Sequence, residues 1–225
     1  MEVQPPAIEP KAWTPAGRSR EILDSAIKLF AAQGYGQTEV QEIADRVGIG
    51  KGTVYRHFGN KESLFLAAVA YARDQLIAAV DDAQDASLAP LERLRVCMTA
   101  ILRFFDARPE VVELLIEERA LFRDRRPSLF FEQDEQRRRE WGERLTAMID
   151  AGAIRNLPVA EIQDTLSRFV FGAMFFHYFA GKTRPLADHA QTMFDVLFHG
   201  LLAPAVKLPP AAADRSPDTK PPEPA

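Results

Sequence analysis

Apolar residues recur at helical spacing from Ser19 onward, and this periodicity predicts a series of helices. The first helix is expected to end near Gly34, since glycine commonly closes helices. Its apolar face consists of Ile22, Leu23, Ala26, Ile27, Leu29 and Phe30. Thr38 and Gln41 have the spacing of a capping box, in which each side chain bonds the backbone N–H of the other residue. A short second helix is therefore expected to begin at Thr38.

Helical periodicity continues toward the end of the chain. A third short helix is predicted over 49–58, and Asn60 is a suitable N-cap for a long fourth helix. Beyond Pro90, a Pro or Gly falls at each boundary between apolar segments, where these residues open and close helices at least cost. The five further helices are predicted at about 91–106, 110–123, 128–150, 159–180 and 187–202. No strand is predicted, so the expected fold class is all-α with about nine helices.

Composition limits the class of protein. The 225 residues are 47% hydrophobic and 27% charged, which is typical of a globular chain. Segments 1–17 and 206–225 are rich in Pro and Ala, and we expect a disordered N-terminal arm and a disordered tail. The single cysteine, Cys97, can form neither an internal disulfide nor a CxxC pair. With no apolar run long enough to cross a membrane, the sequence predicts a cytoplasmic protein without a membrane partner.

The net charge of −4 is divided unevenly along the chain. Residues 11–65 carry eight Lys and Arg against six Asp and Glu, so this segment is slightly basic and the remainder is acidic. A basic N-terminal segment joined to an acidic body is the pattern of a DNA-binding domain attached to a domain with another task.

The segment 38–65 has the features of a helix-turn-helix. Ala44 is a small residue where two short helices would cross, and Gly48 permits the turn between them. The shared apolar seam would consist of Ile43, Val47, Ile49 and Val54. That seam leaves at the outer surface Lys51, Gly52, Thr53, Tyr55, Arg56 and His57. Side chains of these types reach base edges and phosphates in a major groove, and Lys61 follows where the N-terminus of a helix favours an anion.

Over Ser19 to Val69 the chain resembles the TetR family of bacterial regulators, through the pattern ILDSAIKLFAAQGYGQT and the block IADRVGIGKGTVYRHFGNKESL. The resemblance implies a DNA-binding domain at 18–62 and a helical ligand-binding and dimerisation domain at 63–205. It implies a homodimer that represses from a palindromic double-stranded DNA operator and is released by a small effector. By position, it implies base contacts from Lys51, Gly52, Tyr55 and Arg56. It also implies phosphate contacts from Thr38, Thr53, His57 and Lys61.

Some residues of this segment have structural interpretations beside the DNA-binding one. Phe58 is interpreted as a core aromatic that anchors the third helix on the first and fourth, whereas Tyr55 is interpreted as a DNA contact. His57 is open between a DNA contact and a structural or surface histidine. Lys28 and Arg46 are interpreted as solvated charges on helix faces.

The last two helices predict a dimer. The eighth is apolar nearly all round, which indicates that it is covered on both sides, and the ninth has a broad apolar face. The family resemblance implies that these helices pair with their copies in a second subunit to form a four-helix bundle. The expected interface residues are Phe171, Gly172, Met193, Phe194, Leu197 and Leu201. The alternative is a monomer with a large helical core.

Aromatic residues of the fifth to eighth helices suggest a pocket for a lipophilic or aromatic effector. The expected lining residues are Phe104, Phe105, Phe122, Phe131, Asp134, Arg137, Trp141, Phe175 and Tyr178. The two charges fall on the apolar stripe of the seventh helix, so they either contact a polar group of the ligand or form an exposed pair with each other. His177 is similarly open between an interface histidine and a ligand contact.

Two other classes of function compete with a ligand-responsive repressor. An enzyme is disfavoured, because the sequence has no Gly-rich phosphate loop, no nucleophile elbow and no HExxH metal motif. No catalytic residue, cofactor or metal is therefore expected. The remaining alternative is an activator or architectural DNA-binding protein without an inducer, which would share the N-terminal motif but lack a ligand cavity.

Overall fold

The structure is a computed structural model and describes residues 17–124, 127–132 and 135–200. Its helices are α1 (Gly17–Gln37), α2 (Val40–Val47), α3 (Lys51–Phe58), α4 (Lys61–Asp82), α5 (Pro90–Ala107), α6 (Glu110–Leu121), α7 (Glu135–Asp150), α8 (Val159–Phe179) and α9 (Ala190–His199). Two short 3₁₀ turns occupy Leu129–Phe131 and Leu186–His189. No strand occurs in the described ranges, which confirms the all-α class and its nine helices. The tail at 206–225 and the N-terminal arm up to residue 16 fall outside those ranges.

The chain divides into two compact units, residues 1–190 and residues 191–225. In the first unit α1 packs along both α4 and α6, and α4 packs in turn on α5. The domain boundary expected between residues 62 and 63 lies at the start of α4, inside this unit. In the described part of the second unit, the ring centroids of Phe194 and Phe198 lie 6.2 Å apart on α9.

The central helix of the first unit is α4. By length and mean hydropathy, 1.4, it is apolar enough to span a membrane. A helix that packs on several neighbours needs the same composition, and eight apolar residues of α4 are buried in the protein core. Phe65 of α4 meets Phe30 of α1 edge to face, with ring centroids 5.1 Å apart. The N-terminal helices are therefore anchored on α4 by buried aromatic contacts.

The junction of α1 and α2 differs from its prediction. Helix α2 begins at Val40, with Glu39 rather than Thr38 at the N-cap position. The buried hydroxyl of Thr38 donates to the carbonyl oxygens of Leu29, at 3.2 Å, and Gly34, at 2.8 Å. The predicted capping box at Thr38 is therefore wrong, because its hydroxyl closes the end of α1 instead of opening α2.

Gly34 interrupts the regular geometry of α1 with a φ of 79° and a ψ of 159°. A Cβ atom at this position would also lie 2.9 Å from Oε1 of Glu117 on α6. L side chains rarely adopt a positive φ, so the local conformation requires glycine. The regular part of α1 thus ends where the sequence predicts it.

Gly34→Ala is expected to lower the free energy of unfolding by about 1 to 3 kcal/mol, the usual cost of holding a non-glycine residue at positive φ. Gly36→Ala is the matched control, because a Cβ at Gly36 would meet nothing within 4 Å and its φ lies outside the strained range. The control is expected to be neutral or slightly stabilising. Urea unfolding measures both variants, and equal stabilities would contradict the strain assigned to Gly34.

The helix predicted over 128–150 is interrupted in the structure. Leu129–Phe131 forms a 3₁₀ turn, and α7 begins only at Glu135. The carboxylate of Glu118 on α6 accepts the Leu129 N–H at 2.6 Å and the Ser128 hydroxyl at 2.5 Å. Arg73 of α4 donates to the Leu129 carbonyl at 3.2 Å. Backbone groups that would continue a helix are thus bonded to side chains of other helices.

Candidate DNA-binding surface

The segment from α2 to α3 folds as a helix-turn-helix. Ile43 and Ala44 of α2 are fully buried, and Val54 and Phe58 form the buried face of α3. Between the helices, Gly48 adopts the left-handed conformation, with a φ of 70°, and its N–H bonds carbonyl groups at the end of α2. These positions confirm the centre of the expected apolar seam and the interpretation of Phe58 as a core residue.

The opposite face of α3 is open to solvent. Its exposed residues are Gly52, Tyr55, Arg56 and His57, and its half-buried ones are Lys51 and Thr53. The Nζ atom of Lys51 lies 5.7 Å from the centroid of the Tyr55 ring, so the ammonium and the phenol share one face and attract each other. With Arg56 beside them, this face offers long hydrogen-bond donors suited to guanine edges.

Lys61 is held at the start of α4 by contacts that the sequence did not indicate. Its Nζ atom lies 4.7 Å from the centroid of the Tyr35 ring and donates to the Gly36 carbonyl at 3.3 Å. Burial, assisted by the charge of Glu62, raises the pKa of Tyr35, so the ring stays neutral beneath the ammonium. The N-cap side chain of Asn60 accepts the Ser63 N–H at 2.7 Å, as a capping residue should. A fixed cation thus stands at a helix N-terminus, where an anion is favoured.

His57 links α3 to the start of α1. Its Nδ1 atom lies 3.4 Å from the hydroxyl oxygen of the buried Ser19, and its ring contacts that of Phe58. These contacts favour the structural interpretation that the sequence left open.

Thr38 does not belong to the surface. Its side chain is fully buried, its hydroxyl donates within α1, and its backbone N–H donates to the Gly34 carbonyl at 3.2 Å. The expectation that Thr38 contacts phosphate is wrong, because none of its donors points to solvent.

A polar cluster joins α1 to the body behind this surface. Asp24 of α1 accepts hydrogen bonds from Tyr71 at 3.4 Å and Gln75 at 3.3 Å, both on α4. Arg108, at the α5–α6 corner, donates to Gln75 at 2.8 Å and to Glu110 at 2.6 Å, and its Nη2 atom lies 3.5 Å from Asp24. We call these five residues the Asp24 cluster. It connects three helices of the first unit through side chains that no sequence spacing relates.

An open groove of about 750 Å³ lies beside the Asp24 cluster, between α1, the α5–α6 corner and Tyr178 of α8. The Tyr178 hydroxyl donates to the carboxylate of Glu113 on α6. Burial and this carboxylate together raise the pKa of Tyr178 to about 12. Tyr178, expected in an aromatic pocket, therefore lines a groove that also contains Lys28, Asp24 and Glu110.

The other residues expected to line an aromatic pocket contact different neighbours. Phe104 and Phe105 are buried edge to face, 5.3 Å apart, and Phe131 meets Phe171 at 5.0 Å. These rings form one packed cluster of the body. Contacts outside that cluster are made by Phe122 with Phe65 at 6.1 Å, Phe175 with Phe179 at 6.2 Å, and Trp141 with the Arg144 guanidinium at 4.8 Å.

Arg137 has a partner that the sequence did not suggest. Its guanidinium donates to both carboxylate oxygens of Asp81 on α4, at 2.8 Å and 2.7 Å. These hydrogen bonds hold the pKa of Asp81 below its usual range. Arg137 therefore ties α7 to α4, whereas Asp134, the partner proposed from the sequence, lies outside the described residues.

The residues expected at a dimer interface differ in their exposure and contacts. Phe171 is half-buried and packs against Phe105 and Phe131 of the body, so its own chain covers part of the ring. Phe194 contacts Phe198 within the second unit, and its place at the interface stays a prediction. Of the remaining residues, Gly172 is exposed, Met193 and Leu197 are half-buried, and Leu201 is outside the described ranges. Two exposed rings that the sequence did not single out, Phe176 at 70% and Phe179 at 69%, are on α8.

Residues 22–68 match the family model described as bacterial regulatory proteins, tetR family. The HTH-type transcriptional repressor KstR2 of Mycobacterium tuberculosis is 31% identical over 154 residues, which cover 68% of this chain and 76% of the relative. The HTH-type transcriptional activator FasR of Mycolicibacterium smegmatis is 31% identical over 100 residues, which cover 44% of this chain and 46% of the relative.

Solved structures share the fold. The transcriptional regulator FadR from Bacillus subtilis, solved in complex with stearoyl-CoA, has a TM-score of 0.68 at 19% identity over 81% of this chain and 99% of that one. The ketosteroid transcriptional regulator KstR2 of Mycobacterium tuberculosis has a TM-score of 0.61 at 24% identity over 83% of this chain and 96% of that one.

Proposed function

The chain belongs to the TetR family of bacterial transcriptional regulators, and from this membership we propose that it is a repressor whose homodimer binds a palindromic DNA operator and releases it when a lipophilic effector binds. The observation that carries the proposal is the exposed face of α3, where Lys51, Tyr55 and Arg56 stand together at the surface. We assign residues 18–62 to DNA binding and residues 63–205 to effector binding and dimerisation.

Base contacts are assigned to Lys51, Gly52, Tyr55 and Arg56. Gly52 supports this assignment because nothing lies within 4 Å of a Cβ built there, so a base edge can approach the backbone closely. Phosphate contacts are assigned to Thr53 and Lys61, and His57 is assigned mainly to holding α3 on α1. Lys61 can neutralise a phosphate because its ammonium is already fixed over Tyr35 at the N-terminus of α4.

The homodimer is proposed to form through the face of α8 that carries Gly172, Phe176 and Phe179. These positions are three or four residues apart and therefore share one helical face. Two exposed phenylalanines on one face make an apolar patch that a second copy can cover symmetrically. Nothing lies within 4 Å of a Cβ built at Gly172, so the backbones of two helices could approach each other there. Met193 and Leu197, in the second unit, stay candidates for contact with a second copy.

Coupling between the two domains is proposed to pass through α4 and the Asp24 cluster. Tyr71 and Gln75 of α4 both bond Asp24 of α1, the first helix of the DNA-binding domain. A shift of α4 would therefore change the position of α1 and, with it, of α3. An effector shifts this equilibrium only as far as it binds the DNA-incompetent arrangement more tightly.

A lipophilic effector is supported by the ring cluster of the body and by the names of the similar proteins, a ketosteroid regulator and a regulator bound to stearoyl-CoA. The second candidate function is activation from the same kind of DNA site, which the similarity to the activator FasR favours. The two functions share the α3 surface and differ in the effect on transcription.

Selection of bound sequences from random duplex DNA by the purified chain is expected to enrich an inverted repeat, because a two-fold dimer presents α3 twice. Long-chain acyl-CoAs, fatty acids and steroids are then tested for release of that operator. The effective compound should weaken operator affinity, and the operator should weaken its affinity by the same factor. Enriched sites without two-fold symmetry would contradict the dimeric operator complex. An operator that no lipophilic compound releases would leave the second candidate function.

A further inference from the structure

The 3₁₀ turn at Leu129–Phe131 inserts two aromatic rings into the body. The Phe130 ring is 4% exposed and lies 6.3 Å from Phe105 of α5, while the Phe131 ring is half-buried and lies 5.0 Å from Phe171 of α8. The two inserted rings contact each other at 5.5 Å. We call Phe130 and Phe131 the aromatic plug. Through these contacts the plug packs against rings of both α5 and α8.

The plug is fixed to the body chiefly by side chains. Two backbone hydrogen bonds close the turn itself, from Phe131 to Ser128 and from Glu132 to Leu129. Within the described part of the chain, further polar links come from Glu118 of α6, which accepts from Ser128 and Leu129, and from Arg73 of α4, which donates to the Leu129 carbonyl.

Glu118 depends on the turn for its hydrogen bonds. Its side chain is 1% exposed, and among the described residues its donors are Ser128 and Leu129 of the turn segment. A buried carboxylate that is deprived of its donors is costly unless water replaces them. These bonds therefore hold the turn against the body. When the turn opens, water can reach Glu118 and replace the donors that it has lost.

We propose that the aromatic plug occupies the effector site, and that an apolar chain or fused-ring ligand binds by displacing it. This inference rests on the proposed function, and it names the place where the lipophilic effector binds. Each phenylalanine buries an aromatic side chain of about 150 to 250 Å² when fully covered, so a replacement must offer a comparable apolar area. Small polar metabolites do not meet this requirement, whereas long acyl chains and steroids do.

The polar links connect the plug to the DNA-binding domain. Arg73 is two residues from both Tyr71 and Gln75, the α4 residues that hold Asp24 of α1, and it lies on a different face of the helix, where it also bonds Asp74. When the turn leaves, Arg73 is separated from its Leu129 partner, so α4 is no longer tied to the turn through this bond. We therefore assign Arg73 as a positioning residue for the coupling, distinct from the rings that the ligand replaces.

The test uses the full chain and N-phenyl-1-naphthylamine, a neutral apolar probe whose fluorescence rises on binding. Phe131→Leu reduces the plug and is expected to tighten probe binding by roughly 3- to 10-fold, because a binding-competent state that is more populated lowers the apparent Kd. Phe131→Trp enlarges the plug and should weaken probe binding. Ser128→Ala removes one link and is expected to tighten binding by a few-fold. Its matched control is Ser167→Ala, which removes an exposed hydroxyl that bonds Gln163 within α8.

A second measurement separates positioning from folding. Arg73→Met keeps an unbranched side chain but removes the donors to Leu129 and Asp74, so the variant should bind the probe while the probe weakens operator affinity less than in the unchanged protein. Thermal unfolding of each variant verifies that it is folded. The proposal that the aromatic plug occupies the effector site would be overturned by equal probe affinity for Phe131→Leu, Phe131→Trp and the unchanged chain. Absence of probe binding in all three would overturn it as well. Neither outcome tests the proposed function. That function is contradicted separately if the selected DNA is not a two-fold operator or if no lipophilic compound releases the operator.

Discussion

Phe176→Glu will separate the homodimer into monomers and weaken operator binding by about 100-fold or more. In the single chain the Phe176 ring is 70% exposed, so a carboxylate there stays hydrated and the protomer keeps its fold. In the proposed dimer the same position is covered, and two copies of an unpaired charge are buried at once. A decrease of about 2.8 kcal/mol already corresponds to 100-fold, and burial of a charge usually costs more. Sedimentation at micromolar concentration and operator titration measure the two effects.

The control for this substitution is Leu91→Glu, which places the same charge on an exposed leucine at the start of α5. It should leave both the sedimentation coefficient and the operator affinity unchanged. An unchanged chain that sediments as a monomer, or a Phe176→Glu variant that stays dimeric, would refute the interface on α8.

Helix α8 shows what hydrophobic periodicity can and cannot predict. The sequence identified a helix that is apolar nearly all round, and α8 runs from Val159 to Phe179 as expected. Periodicity did not identify which side of that helix is covered by the same chain, because an all-apolar helix has no polar face to orient it. Phe171 was therefore assigned to the partner, although it faces Phe105, while Phe176 and Phe179 were not assigned to it.

Three predictions that depend on local sequence signals agree with the structure. The turn at Gly48, the cap at Asn60 and the burial of Phe58 all depend on residues within one or two helical turns, and all three were predicted from the sequence. The prediction for Thr38 is wrong because its hydroxyl donates to the carbonyl of Leu29, nine residues earlier in the chain, instead of capping α2. A spacing rule identifies a motif but takes no account of the competing hydrogen-bond partners that the folded chain supplies.

Long-range polar contacts account for most of the remaining differences. The 3₁₀ turn replaces the predicted start of α7 because Glu118 and Arg73 bond its backbone, and those residues lie 11 and 56 positions from Leu129. The Asp24 cluster likewise joins residues as far apart as Asp24 and Arg108. Such contacts depend on how the helices pack, and one sequence without packing information does not specify them.

Arg56→Ala will lower operator affinity by roughly 2 to 6 kcal/mol, because a contact to a base edge is worth about 1 to 3 kcal/mol and the dimer makes it twice. Arg56 is exposed on the face of α3 that carries Tyr55, with no helix of the described chain covering it. The decrease should be confined to the preferred sequence, with base preference relaxed at one symmetric pair of positions. Lys51→Ala should behave in the same way, to a lesser degree, because its ammonium is partly engaged with Tyr55.

Lys61→Ala should weaken DNA binding without changing base preference, because a phosphate contact carries no sequence information. Binding to the operator and to scrambled duplex should weaken together, and the slope of log affinity against log salt should fall by about one unit for each phosphate that the variant no longer neutralises. Lys28→Ala is the control, since it removes the same charge from an exposed position of α1 away from α3. Titrations of operator and scrambled duplex across a salt series distinguish the variants. If Lys61→Ala changed base preference while Arg56→Ala and Lys51→Ala left it intact, the assignment of α3 as the base-reading helix would be wrong.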